Sequence, residues 1–343
     1  VLDDEPQFVN LTRRYKQRET LRIAYGDIVR QQSIEVVTRQ ISYLADAICE
    51  ATIRFARKRL AQQRGDAMVG DQPARFCALA LGKLGGEELN YSSDIDLIFL
   101  CDGGAKTAGP RSQTGEEFFN RLAKDVVRLL SQTTDVGAGY RVDMRLRPHG
   151  DHGPLVCTYQ AALRYYDTVA RTWERQAFVK ARPAAGDLPL GEELLTHLES
   201  WIYQRYLNRT DISGIKALKR KIERRAEAGP QGRDIKVGHG GIRDIEFVIQ
   251  FLQLLNGGDL PDVRTGNTLE AIRQLEQAGC LTMQERSILE ENYAALRKLE
   301  HRLQILFDMQ THTLPDHEDE MARLAVRMGY RGNGRHMVLE EFK

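Results

Sequence analysis

The 343-residue sequence predicts an α+β fold, a mostly helical chain in which helical segments flank a small mixed β-sheet. Three observations carry that prediction. Ile34, Val37, Ile41, Leu44, Ile48 and Ile53 recur every three to five residues, a helical stripe within a first segment, 1–66, that reads as helical. The apolar run Phe76–Leu81 enters a glycine turn, Gly82-Lys-Leu-Gly-Gly86, and a second apolar strand follows over Asp94–Leu100. From about residue 160 the apolar spacing is helical almost throughout. It is plainest over Glu285–Met309, where Ile288, Leu289, Tyr293, Leu296, Leu299, Leu303 and Leu306 form one stripe.

The connecting elements follow in order. Gly65–Pro73 is rich in turn formers and marks a boundary after the first segment. Cys101–Gly115 reads as a loop, and Glu116–Gln132 as an amphipathic helix with Phe118, Leu122, Val126 and Leu129 on one side. Gly139–Pro148 alternates as a strand does: Val142, Met144 and Leu146 on one face, Arg141, Asp143, Arg145 and Arg147 on the other. The organisation expected is a helical segment over 1–66, a sheet-bearing domain over 67–212 and a helical domain over 213–343.

Composition narrows the function classes. A net charge of +1 with 28% charged residues argues against a nucleic-acid partner. Five cysteines (Cys49, Cys77, Cys101, Cys157, Cys280) lie far apart without a Cys-x-x-Cys pair, the usage of reduced cysteines in a cytoplasmic protein. No apolar run is long enough for a membrane span, so no membrane partner is expected. Val1 at the start and Leu339-Glu-Glu-Phe-Lys343 at the end suggest a piece of a longer chain.

The strand at Asp94–Leu100 carries the chemistry. Its side chains alternate, so Asp94 and Asp96 share a face about 6–7 Å apart, while Ile95, Leu97 and Phe99 face a core. Two carboxylates on one wet face repel unless a cation sits between them, and the glycine turn nearby suits a phosphate chain. Asp143 supplies a third carboxylate if its strand lies alongside. Three carboxylates can hold two divalent cations about 3.5–4 Å apart, an arrangement that activates a nucleophile and steadies a leaving phosphate oxygen. Arg145 and Arg147, on the face of Asp143, offer planar forks for phosphate oxygens.

Gly82 and Gly85-Gly86, followed by Asp94-Ile-Asp96 and a later strand aspartate, resemble the nucleotidyltransferase superfamily of DNA polymerase beta and the aminoglycoside nucleotidyltransferases. Gly82 through Asp96 together with Asp143-Met-Arg-Leu-Arg-Pro148 more closely resembles the glutamine synthetase adenylyltransferase/adenylyl-removing family. Arg171–Arg182, Ile235–Phe247, Glu300-His-Arg-Leu-Gln304 and Gln310–Pro315 are similar to segments of that family's first, adenylyl-removing half. Aspartate stands at 244 where many relatives are expected to carry glutamate. The resemblance implies a polymerase-beta-like core and phosphorolytic removal of AMP from a tyrosine of glutamine synthetase, giving ADP and active synthetase. It implies Asp94, Asp96 and Asp143 as ligands of two Mg²⁺ ions, with Mn²⁺ as the substitute, and Gly85, Gly86 and Ser93 close to phosphate oxygens. The partners implied are adenylylated synthetase, phosphate, AMP or ADP and, for the whole enzyme, the PII signalling protein.

Other readings stay open at this stage. Lys83 suits either a phosphate contact or a cap on the turn; Arg145 and Arg147 suit either phosphate or ion pairs with Asp143 or Glu174. Lys180 and Arg182 alternate to one side and could line the site, whereas Trp173 suits packing on the sheet. Arg243 and Glu246 suit either the site mouth or a plain intrahelical pair, and His301 and His312 lack metal-ligand spacing. Lys216–Glu227 reads as a solvated helix face. Adenylyl transfer from ATP is the competing enzymatic reading, and a non-catalytic module binding synthetase or PII the competing class.

Overall fold

The computed structural model describes residues 4–107, 113–203, 234–307 and 310–330. The Lys216–Glu227 face, the boundary expected at 212/213, Met309 and the Leu339–Lys343 segment lie outside them. The fold is α+β. Two compact units are present: Val1–Tyr25, Thr38–Leu89 and Ser93–Ile202 form the first, and Gly26–Val37, Asn90–Ser92 and Tyr203–Lys343 the second. The helical segment expected over 1–66 is therefore not separate, since most of it belongs to the first unit.

In the first unit, α1 (Glu5–Ile28) and α2 (Ile34–Arg64) precede a small antiparallel sheet of β1 (Ala67–Val69), β2 (Gln72–Pro73) and β5 (Lys106–Thr107). The larger mixed sheet contains β3 (Phe76–Leu81), β4 (Ile95–Cys101), β6 (Val142–Asp143), β7 (Val156–Thr158) and β8 (Arg182–Gly186). Its order is β6-β4-β3-β8, with β7 also parallel to β4. A one-turn helix α3 (Gly82–Gly85) follows β3, and the remaining helices are α4 (Gly115–Ser131), α5 (Tyr159–Thr168), α6 (Thr172–Phe178) and α7 (Leu188–Ile202).

All six residues of β3 are buried, so both faces of this central strand are covered. Phe76 stacks on Phe119 of α4 at 5.5 Å and lies 5.4 Å from Phe99 of β4. On the opposite face α7 comes close through Gly191, where a Cβ would meet Cys77 Sγ at 2.8 Å and Leu79 Cδ2 at 2.9 Å. Thr114 starts α4 with a capping box: its hydroxyl accepts from Glu117 N and the Glu117 carboxylate from Thr114 N. Arg13 of α1 is buried and donates to the carbonyls of Leu129, Leu130 and Gln132 at the end of α4, groups that a helix terminus leaves unpartnered.

The wet face expected along β4 is confined to its start. From Leu97 onward both faces are buried, Ile98 and Leu100 included. Five strands were not expected: β1 and β2 lie in the Gly65–Pro73 boundary, β5 in the Cys101–Gly115 loop, and β7 and β8 in the larger sheet, where β8 carries Pro183 and a register shift against Ala78/Leu79, features tolerated because it is an edge strand.

The second unit contains α8 (Ile242–Asn256), α9 (Thr268–Gln277), α10 (Met283–Phe307) and α11 (Glu318–Met328) around a core that includes Ile242, Ile249, Ile272, Leu275, Leu299, Leu303 and Leu324. The apolar stripe on α10 is buried at Tyr293, Leu296, Leu299 and Leu303, though Ile288 is exposed. The other side of α10 is buried too, and it is polar: Arg297, Glu300, His301, Arg302 and Gln304. Glu300 pairs with Arg297 and His312, and the other four find partners on two short segments of the same unit. Asn90 Oδ1 accepts from Arg297 Nη2 (2.5 Å) and faces His301 Nε2 at 3.0 Å, while Gln304 Oε1 accepts from Ser92 N at 2.9 Å. Arg302 forms a two-pronged ion pair with Asp27, at 2.6 and 2.7 Å. His301 is thus a buried packing residue, its Nδ1 3.9 Å from Asp27 Oδ2, and burial lowers its pKa against the opposing pull of Asp27.

Burial pushes the Asp27 carboxyl up, but bonds from His301 and Arg302 outweigh it and hold the group below the usual carboxylate range. The stability contributed is therefore complete above the unfolded pKa and disappears as pH falls through the lower folded one. Replacing Arg302 by Met strands the Asp27 carboxylate, and urea unfolding at neutral pH should show a loss of about 3–5 kcal/mol. The loss should shrink on acidification, as Asp27 becomes protonated.

Candidate active site

The acidic residues meet where β4 begins. β6 runs parallel to β4 with Ile95 beside Val142 and Asp96 beside Asp143. Residues level on neighbouring strands point to one face, and the strands lie about 4.8 Å apart. Asp94 stands two residues before Asp96, just outside the strand, and Ile95 N donates to the Arg141 carbonyl at 2.9 Å to start the pairing. Asp143 is therefore level with Asp96, which meets the condition on which the third carboxylate depended.

Each outer aspartate is turned onto an arginine. Asp94 pairs with Arg141, and Asp143 with the Arg145 guanidinium and, at 2.9 Å, the Arg145 backbone N–H. The Arg145 bonds hold the Asp143 carboxyl below its ordinary range and push the Arg145 guanidinium up. Among the described residues no three carboxylate, imidazole or thiol side chains converge on one point, with Asp94 and Asp143 in these pairs. The two arginines are 60% and 73% exposed, and ion pairs so exposed are weak, little hindrance to rotation of the carboxylates.

Gly82 was read as part of the glycine motif but given no role of its own. It has φ +56°, and a Cβ there would stand 2.4 Å from Asp96 Oδ2. Leu81 pairs level with Asp96, so the turn leaving β3 crosses directly against the carboxylate. Both constraints select glycine. Arg141 is the second addition; its place on the face of Asp143 was the available signal.

Other expected residues have structural partners. Arg147 does not extend the polar face. The strand stops after Asp143, and Arg147 folds inward, buried, donating to the carbonyls of Met144 (2.8 Å), Pro154 (3.2 Å) and Gly153. It clamps the 144–154 loop, while its charge still helps to lower Asp143. Gly86 N–H is bonded to the Gly82 carbonyl at 3.1 Å, and Gly85 is required by packing, since a Cβ would stand 1.9 Å from the Lys180 carbonyl. The Gly86 N–H is thus bonded within the turn, and Gly85 is selected by close packing. Lys83 and Ser93 are half-buried at the turn and just before Asp94. Lys180 pairs with Glu88 in a buried bridge, Arg182 pairs with Asp46, and Glu174 accepts from Tyr165 and from Arg171 N. In the second unit, Gly240 N donates to Asp244 at the start of α8, and Glu246 accepts from Tyr293.

Residues 1–197 match the family described as glutamate-ammonia ligase adenylyltransferase, and the chain belongs to that family. Residues 216–343 match a second family description, GlnD PII-uridylyltransferase. Among individual relatives, the bifunctional glutamine synthetase adenylyltransferase/adenylyl-removing enzyme of Hahella chejuensis is 39% identical over 96% of this chain and 34% of its own length. The enzymes of the same name from Pseudomonas aeruginosa and Nitrosococcus oceani are each 38% identical over 95% and 96% of this chain, again 34% of theirs. The chain thus spans about a third of the length of the curated relatives it matches.

Gly82→Ala combines left-handed strain with a clash on Asp96, so thermal unfolding should register a loss of about 1–3 kcal/mol. Gly70→Ala, with φ +58° but nothing within 4 Å of its Cβ, isolates the strain from the clash.

Proposed function

We propose that this chain removes AMP from an adenylylated tyrosine of glutamine synthetase by phosphorolysis, releasing ADP and the unmodified tyrosine. The observation that carries the reading is the level placement of Asp96 beside Asp143, with Asp94 two residues before and Gly82 against Asp96. The same placement supports a polymerase-beta-like core, in which acidic residues at the start of one strand and on its neighbour share a face. The resemblance of Arg171–Arg182 and Ile235–Phe247 to the family's first half favours removal over transfer, and the relatives' name includes both activities.

In the reaction a phosphate oxygen forms a bond to the α-phosphorus of AMP-tyrosine, the bond from phosphorus to the tyrosine oxygen breaks, and that oxygen takes a proton. Both reactants are anionic. Asp94, Asp96 and Asp143 are hard oxygen donors suited to Mg²⁺ or Mn²⁺, and the partners of Asp94 and Asp143 are exposed arginines that a cation can replace. Cations held there supply neutralisation of the reacting phosphates and polarise the phosphoryl oxygens. Arg141 and Arg145, released from the carboxylates, present guanidinium forks to the attacking phosphate. Gly82 keeps the backbone low beside Asp96 and leaves room for a phosphoryl group. PII is a partner proposed for the whole enzyme, and the cytoplasm its location.

Incubation of the chain with adenylylated synthetase, phosphate and Mg²⁺ should release ADP. Formation of pyrophosphate from ATP and unmodified synthetase would instead assign transfer. Asp96→Asn and Asp143→Asn should each slow ADP release by about 10²–10³-fold without lowering the thermal midpoint. Arg145→Ala should weaken phosphate use at unchanged stability, whereas Arg147→Ala should destabilise the fold through the 144–154 loop. Full activity in Arg145→Ala would remove that residue from the site.

A further inference from the structure

Side chains outside the acidic group converge on the glycine turn of the first unit, and the chemistry above gives them no part. Arg182, at the start of β8, donates through Nη2 to the Leu84 carbonyl and to Asp46 Oδ1, both at 3.0 Å, and lies 2.8 Å from Asp46 Oδ2. Asp46 belongs to α2 and Leu84 to α3. From the other side the Lys180 carbonyl presses on Gly85, while its ammonium pairs at 2.5 Å with Glu88, two residues beyond the turn. A one-turn helix has too few internal bonds to fix its own place, so outside partners of its carbonyls decide where it sits. Gly82, the first residue of this turn, is the one lying against Asp96.

We infer that Arg182 is a positioning residue: anchored by Asp46, it holds the Leu84 carbonyl and thereby sets where the Gly82–Gly86 turn meets Asp96. The consequence for rate rests on the proposed phosphorolysis; the consequence for the turn does not. A displacement of the turn by a fraction of an ångström is enough to matter, because misplacing reacting groups by about 1 Å costs on the order of 10²-fold in rate.

The anchor responds to pH. Burial pushes the Asp46 carboxyl up to about 6, Arg182 opposing and Glu87 adding to the rise. The groups facing Asp46 are Arg182 from β8, Glu87 from the turn exit, Cys49 on α2 itself and Tyr140 ahead of β6. Charged Asp46 grips Arg182 more firmly than neutral Asp46, so the turn is best held above about pH 6. Global stability moves the other way. A carboxyl with a raised folded pKa contributes most below its unfolded value of 3.8, and that contribution is lost as pH rises through about 6. A role in stability alone and a role in positioning therefore predict opposite pH trends.

Leucine labelled at the carbonyl carbon combined with nitrogen-labelled glycine selects Gly82, Gly85 and Gly191, the glycines that follow a leucine in this sequence. The Gly85 amide signal, which reports on the Leu84 carbonyl, should move with a midpoint about pH 6 in the native protein and stay still in Asp46→Asn, with Gly191 as the reference. The ratio of native to Asp46→Asn phosphorolysis rates, which cancels the titration of phosphate itself, should rise about tenfold from about pH 5 to about pH 8. Arg182→Lys should displace the Gly85 signal at every pH, and covers the case in which Asp46→Asn fails to fold. A Gly85 signal that does not titrate in the native protein, or that Arg182→Lys leaves in place, overturns the inference. Absence of ADP release from a native protein whose Gly85 signal titrates as described overturns the proposed reaction and leaves the positioning role standing.

Discussion

The parallel pairing of β6 with the first residues of β4 is the constraint on which the candidate site depends. It is only two residues long, yet it sets two carboxylates side by side. Two unit charges about 5 Å apart near a protein surface repel by about 3 kcal/mol, a large fraction of a domain's net stability. The pairing survives because the rest of β4 is buried on both faces, from Leu97 to Cys101, and because Arg141 and Arg145 neutralise the outer carboxylates. The sheet holds the acids together against their own repulsion.

Much of this was legible in the residues. Phe76–Leu81 forms the strand read from its apolar run, β4 and α4 begin within a residue of the expected places, and the α2 stripe is buried from Val37 to Ile53. Apolar periodicity succeeded there because burial on one face or both decides those elements. Around Asp143 it failed for a local reason. The Asp143 carboxylate accepts the Arg145 backbone N–H two residues on, a side-chain turn that competes with the ladder and ends the strand. The alternation of Met144 and Leu146 with arginines persists in the sequence but no longer describes a strand, and Arg147 swings inward to satisfy carbonyls. β8 escaped notice because Arg182-Pro-Ala-Ala-Gly186 has neither bulk nor branching. Gly82 was visible as one glycine among several, and only the distance to Asp96 separates it from its neighbours.

Helix α10 carries a related lesson about polar residues. Its apolar stripe predicted one buried face and left Arg297, Glu300, His301, Arg302 and Gln304 with no assigned place. Arg297, His301, Arg302 and Gln304 are matched by Asn90, Ser92 and Asp27, which lie 207 to 275 residues away in the chain, and Glu300 pairs with Arg297 and His312. Periodicity registers where water is excluded by apolar groups and is blind to polar groups matched by distant ones.

The core of the second unit and the candidate site of the first thus use charge in opposite ways. Asp27 and Arg302 are almost wholly out of water, and separating such a pair costs about 3–5 kcal/mol, so the arrangement is permanent. Asp94 with Arg141 and Asp143 with Arg145 are exposed on the arginine side, and pairs of that kind are weak. A ligand binding the carboxylates with even modest affinity outcompetes them. The same acid–base pairing that locks the second unit leaves the acids of the first available, and the difference is set by water access rather than by residue type.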